Sequence, residues 1–182
     1  MKDIVKHQPS DFFTGVAASP FKATEAEQMA QYFKLKKKLD AGAQFIVTNL
    51  GYDARKFHEL LQFLKVNNLN VPVIGNLYIL PFGAARMMNQ NKLPGCVVTD
   101  KLLAVLDEER KAEDKGVAAR MLRAAKMFAI MKGIGFDGIH IGGHNVKYEQ
   151  VEYIIDKGNE LSEKWLDFVP KLDFPQPNGY YY

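Results

Sequence analysis

The sequence runs to 182 residues, of which 47% are hydrophobic and 25% charged, with a formal net charge of +3. That length supports one ordinary core, and that balance excludes a disordered chain and a surface built to seek polyanions. The single cysteine, Cys96, excludes an intrachain disulfide and a thiolate zinc site. The lack of an apolar run of about 18 residues argues against a membrane span, and the polar opening MKDIVKHQPSDFF against a standard secretory signal. The expectation is one cytoplasmic domain that meets a small molecule or another protein.

In chain order, Phe13 to Ala18 is an apolar run stopped by Ser19-Pro20 and reads as a buried strand. Thr24 and Glu27 have capping-box spacing, and Ala26, Met29, Ala30 and Phe33 mark one face of a helix that Gly42 is placed to end. Phe45 to Thr48 is a β-branched second strand. Asp53 can cap a second helix carrying Phe57, Leu60, Leu61 and Leu64. Val71 to Leu80 reads as a third strand, followed by a short helix at 84–90 and an inserted helix from Thr99 to about Arg110. From Lys115 to Lys132 the apolar residues Val117, Met121, Ala125 and Phe128 recur at helical spacing, with Gly133 as the expected C-cap. Gly138 to Ile141 is a fourth strand. Alternating strands and helices predict parallel pairing. Beyond it, 146–182 is expected to be a helix broken near Gly158, then a proline-rich tail that packs on the surface through its aromatics.

The segments GVAASP, LKKKLDAGAQFIVTNLGYD, VPVIGNLYILP and GFDGIHIGG, in that order, resemble the last four β/α units of the methylenetetrahydrofolate reductase family. The central segment carries most of the likeness. Leu35 to Ala43 matches a Leu-Lys-x-Lys-x-x-Ala-Gly-Ala helix end, and Val47-Thr48-Asn49 with Asp53 matches the strand and aspartate that follow it. The resemblance spans about Phe13 to Ile141. It implies a partial TIM-type (β/α) barrel of about four parallel strands at 13–145 with a C-terminal helical extension, FAD across the C-terminal strand ends, and a folate-type substrate in the same loops.

By the same resemblance, Lys38 stands where the family has a lysine that reaches the FAD phosphates, a task suited to a cation. Lys34, Lys36, Lys37 and Lys38 equally fit the solvated face of a helix. Ser19 stands where the family carries a flavin-contacting aromatic. Asn49 takes the place of the family's folate-binding glutamine, with the same amide on a stem one methylene shorter. The histidine expected beyond Ser19 is missing from FKATEAE, and the family's arginine is missing from Gly142 to Asn145. Gly142 and Gly143 fit either a phosphate cradle of backbone N–H groups or a tight strand-to-helix turn.

His140 alternates with two isoleucines, so it points away from them and reads as a core residue rather than a metal ligand. His7 and His58 have no partners at recognisable spacing, no metal site is expected, and Cys96 reads as buried and inert. No nucleophile elbow, Walker loop or dinucleotide fingerprint is present, and the basic run at Lys36 to Lys38 lacks the interleaved aromatics of a nucleic-acid binder. The family's catalytic acid lies on a first strand that has no counterpart here, which predicts no turnover by this chain alone. Three readings remain open. They are half of a flavin and folate reductase completed by a second chain or by self-association, a non-catalytic binding or assembly subunit of one-carbon or methyl-transfer metabolism, and an unrelated phosphate-binding barrel fragment.

Overall fold

The computed structural model describes residues 11–182. Four parallel strands, β1 (Gly15–Ala18), β2 (Phe45–Thr48), β3 (Val73–Tyr78) and β4 (Gly138–Gly142), form one sheet in the order β1-β2-β3-β4. The sheet is open, with β1 and β4 as its edges. Between the strands run α1 (Glu25–Asp40), α2 (Ala54–Val66), then α3 (Phe82–Asn89), α4 (Asp100–Glu109) and α5 (Val117–Ile134). After β4 come α6 (Tyr148–Leu161) and a 3-10 segment (Ser162–Lys171).

The starts of the helices follow from local chemistry. Thr24 and Glu27 close a capping box over α1, and these hydrogen bonds hold the Glu27 carboxyl below its usual range. Asp53 accepts from the backbone N–H of Arg55 (3.0 Å) and Lys56 (3.3 Å) to start α2, and Thr99 does the same for α4 through Leu102. Gly42, at φ 101°, lies just beyond the end of α1 in a conformation that a β-carbon would strain.

Burial alternates along the central strands β2 and β3 as one covered face requires, whereas β1, expected to be buried, is an edge strand of which only Ala18 is covered. Ile46, Thr48, Val73, Gly75 and Leu77 are buried beneath the helices, while the residues between them stay partly open. Gly75 leaves room for α5, since a β-carbon there would lie 3.0 Å from Met131 Sδ and 3.2 Å from the Phe136 ring. The core runs through Ile46, Phe57, Leu60, Leu80, Leu102 and Ile130. No helix of the described residues is long and apolar enough to cross a membrane.

Three local expectations need correction. The buried side of α1 is Gln28, Tyr32 and Leu35, whereas Ala26 and Ala30 are exposed and Phe33 is 61% exposed. Apolarity pointed to the wrong side because two of the buried residues carry polar groups that bond inside: Tyr32 donates to Glu59 (2.6 Å), and the Gln28 amide oxygen accepts from the Lys22 N–H (3.1 Å), although its Nε2 is left without a partner. Gly135, at φ 98°, caps α5, and Gly133 lies inside the helix, where a β-carbon would sit 2.3 Å from the Trp165 ring. Gly158 does not break α6. Its missing side chain admits Phe128, and the helix changes to 3-10 geometry only at Ser162.

The chain beyond β4 packs as a second layer. α6 and the 3-10 segment lie on α5, and the tail then runs along the loops that follow β1 and β2. Phe174 is buried and its N–H donates to Tyr52 O, Gln176 donates to Phe21 O, and the Tyr180 N–H donates to Ala23 O. The last two residues close onto α2: Tyr181 donates to Asp53 (2.6 Å), and the Tyr182 N–H donates to Glu59 (2.7 Å).

Candidate functional site

Strand alternation that buries Ile46, Thr48, Gly75 and Leu77 turns the intervening residues to the opposite, inner face of the sheet. Near the N-terminal ends of the strands this face is aromatic. Phe45 lies over Gly15, where a β-carbon would come within 2.1 Å of its ring, and Phe13 stacks on Phe45 at 5.3 Å. Phe12 and Phe13 are 79% and 68% exposed, far more than aromatic side chains in a finished core.

Toward the C-terminal ends the same face becomes polar. Asn76 and His140 are register partners on β3 and β4, and His140 Nδ1 lies 3.2 Å from Asn76 Oδ1. His140 therefore faces the open inner side, as its alternation predicts, but it is exposed rather than a core residue. Tyr78 sits one step above Asn76 on this face. Sequence reasoning missed Asn76 although the signal was present: in VIGNLY it falls two residues from Ile74 and from Tyr78 and so shares their side.

Each residue expected at the site has a definite place. Asn49 is at the C-terminal end of β2, half-buried, with Nδ2 donating to Gly95 O (2.7 Å) and Oδ1 accepting from the Leu50 N–H (2.8 Å). Its amide therefore ties the loop between α3 and α4 to the strand end and keeps one N–H in reserve. Ser19, just past β1, has a buried hydroxyl with no hydrogen-bond partner. Lys38 is exposed and donates to Ala17 O (2.8 Å). Thr14 O and Ala18 O accept from Gln44 and Asn49 of the neighbouring segment, so the carbonyl of Ala17, at odd register, faces the free edge of β1. Lys38 thus covers an edge carbonyl, a common use of lysine on an unpaired strand.

Gly142 ends β4, and Gly143 leads from it into the turn at His144 and Asn145. Gly142 O accepts from the Ile79 N–H (2.8 Å), and a β-carbon on Gly143 would lie 2.6 Å from Val146 and 3.3 Å from Ile79. Close packing accounts for Gly143, whereas a β-carbon on Gly142 would meet only the exposed His140 ring, at 3.2 Å. Asp53 is an N-cap, as expected. Cys96 is half-buried, with its thiol pushed up by burial, which suits an unreactive side chain. His58 pairs with Gln62 (3.1 Å), and His7 lies outside the described residues. Among the described residues no group of three or more His, Cys, Asp or Glu side chains could hold a metal.

Taken as chemistry, the inner face offers an aromatic floor, an amide and imidazole rim at the strand ends, and two unpaired parallel edges. That is an open four-stranded (β/α) sheet of the kind that forms part of a barrel. The sequence profile of the methylenetetrahydrofolate reductase family matches residues 1–157, and the chain belongs to that family. It is 26% identical over 169 residues to methylenetetrahydrofolate reductase 1 of Schizosaccharomyces pombe, a match covering 90% of this chain but 27% of that protein. The chain thus spans about a quarter of that curated relative. A solved structure from Clostridium thermocellum, an uncharacterised protein that binds two copies of 5-methyl-5,6,7,8-tetrahydrofolic acid, superposes with a TM-score of 0.55 at 17% identity. That match covers 85% of this chain and 55% of the other, and it shows a shared fold.

Proposed function

We propose that this chain is the half of a methylenetetrahydrofolate-reductase-type barrel that presents the folate and part of the flavin site, and that it works in cytoplasmic one-carbon metabolism once further strands close the barrel. The observation that carries the reading is the bare inner face, with Asn49, Asn76 and His140 gathered at the C-terminal strand ends. An amide and an imidazole offer the alternating donors and acceptors that a pterin edge requires. The methyltetrahydrofolate bound by the structural neighbour supports the same ligand class.

FAD fits the residues on the free edge of β1. Ser19 Oγ is buried without a partner, and Lys38 spends one N–H on Ala17 O with two left over. Both would hold the phosphate portion. Bound there, FAD would supply the hydride chemistry of the family. Ser19 gives no aromatic surface against the flavin, so stacking would have to come from the completing segment.

Closure would come from a second polypeptide or a second copy of this chain. In two copies related by a two-fold axis, β4 of each would meet β1 of the other, giving eight parallel strands without a free edge. A strand pairing with β1 would take over Ala17 O and release Lys38 for an anion. The chain by itself is expected to reduce nothing, because among the described residues of its inner face none is placed as the family's catalytic acid.

A second reading, a non-catalytic binding or assembly subunit, draws its support from Asn49, whose amide already holds Gly95. Titration of 5-methyltetrahydrofolate, followed by calorimetry on the assembled protein, tests the folate assignment. Saturable binding weakened roughly tenfold by His140→Ala or Asn76→Ala is expected, from loss of one or two hydrogen bonds to the ligand. Equal affinity in both variants would refute it. Methylenetetrahydrofolate turnover with reduced FAD then separates the enzyme from the binding subunit.

A further inference from the structure

On the outer side of the molecule, α2, the 3-10 segment and the tail border a cavity of about 440 Å³ that is open to solvent on one side. Its size is in the range of small-ligand sites, about 300–1,000 Å³. Much of its wall comes from Trp165, Leu166, Val169, Tyr181 and Tyr182, all beyond residue 157, where the match to the family ends. The cavity lies in the layer added after β4, and it is separated from the inner face by the sheet and α2.

The lining has a defined polarity. Ile134, Trp165, Leu166 and Val169 form an apolar side. The Trp165 ring is held flat on α5 by the absence of a side chain at Gly133. On the facing side, α2 presents Arg55, His58 and Gln62 along one stripe. Glu59 also borders the cavity, but its carboxylate is saturated by Tyr32 Oη (2.6 Å), the Tyr182 N–H (2.7 Å) and Lys56 Nζ (3.2 Å). It adds no free negative charge. The Arg55 guanidinium stacks on the Tyr181 ring at 3.8 Å and makes no ion pair among the described residues. Stacking uses the face of the guanidinium and leaves its N–H edge for an acceptor.

We infer that this cavity binds a small aromatic carboxylate, its ring against Trp165 and its carboxylate on Arg55. A planar cation edge beside an apolar wall selects a ligand with a flat apolar body and a bidentate anionic end. A cavity of this volume holds one or two rings. A neutral ring would leave Arg55 unpaired, and a cation would meet it with like charge.

Trp165 is the sole tryptophan of the chain, so the protein carries its own reporter. The probe is 2-naphthoate, titrated into the full chain while Trp165 emission is recorded, with 2-naphthalenemethanol as the neutral counterpart. The expected result is a saturable change with naphthoate, weakened roughly tenfold or more by Arg55→Gln through loss of a charge-assisted pair, and similarly weaker for the alcohol. Arg55 is exposed and caps nothing with its side chain, so the variant keeps its fold, which circular dichroism checks. Leu166→Glu, at a position 65% exposed, places a carboxylate at the mouth and is expected to abolish binding. His140→Ala on the inner face is expected to leave it unchanged. No saturable change, or equal affinity in Arg55→Gln and Leu166→Glu, would overturn the assignment. Loss of binding in His140→Ala would move the site to the inner face and overturn it as well.

Discussion

The two faces of the sheet differ as a finished surface differs from an unfinished one. On the outer face Phe57 is fully buried and meets Phe21 and Phe136 edge-on at 4.9 and 5.5 Å, and polar groups such as Tyr32 and Glu59 are paired. On the inner face Phe13 lies open, His140 is exposed, and among the described residues both sheet edges are unpaired. A chain that needed only to fold would not leave aromatic residues and parallel edges to water, since such surfaces invite association. The contrast teaches that the packing that stabilises the chain resides on the outer side, and that the inner side is left open to a partner or ligand.

The largest test of that contrast is truncation in each layer. Phe57→Ala is expected to cost about 3–5 kcal/mol in urea unfolding, the range for deleting a buried aromatic ring. Val47→Ala on the inner face is expected to cost less than about 1 kcal/mol in the unassembled chain. Equal losses would erase the distinction. Next comes Tyr32→Phe, which leaves buried Glu59 without one of its donors, for an expected loss of about 1–3 kcal/mol. Gly133→Ala pushes a β-carbon into Trp165. A similar or smaller loss is expected, about 1–3 kcal/mol, with a red shift of Trp165 emission as the ring leaves the helix.

A pH titration sharpens the same comparison. Burial, and then the hydrogen bond to Glu59, pushes the Tyr32 hydroxyl well above the ordinary phenol value of 10.0. Burial and Asp53 do the same to Tyr181. A group whose folded pKa is raised contributes stability that is whole below its unfolded pKa and is lost as pH rises through the folded one. Stability of the outer layer is therefore expected to fall as pH rises past about 10, and Tyr32→Phe should reduce that fall. A stability flat to pH 11 would show that the tyrosines are not held as phenols. The smallest expected effect on folding is His140→Ala, within about 0.5 kcal/mol by thermal unfolding, because an exposed inner-face residue supports nothing beneath it.

Much of the fold was legible because its signals are local. β2 was readable to the residue from Phe45 to Thr48, and Thr24, Asp53 and Thr99 start helices by caps that depend on a few neighbouring residues. The buried side of α1 was not legible, because Tyr32 enters the core only where Glu59, 27 residues away, accepts from it, and Gln28 enters where the loop before the helix turns the Lys22 N–H onto its amide oxygen. The role of Gly133 was hidden for a similar reason: its partner, Trp165, is set by how the extension folds back. At the site, the strand-end position of Asn49 followed from the family resemblance, and the side of β4 opposite its isoleucines, where His140 lies, from alternation. The tie from Asn49 to Gly95 did not, since it depends on where an inserted loop comes to rest.

The account rests on the inner face being half of a cofactor site. Its most direct test is to titrate FAD into the purified chain, alone and with a separately supplied first half of a family barrel, while visible absorbance and mass by light scattering are recorded together. The account predicts flavin held stoichiometrically in a species of two chains, one FAD per closed barrel, and weakened by Lys38→Ala. Full binding by the monomer, or closed assemblies that take up no FAD, would contradict it.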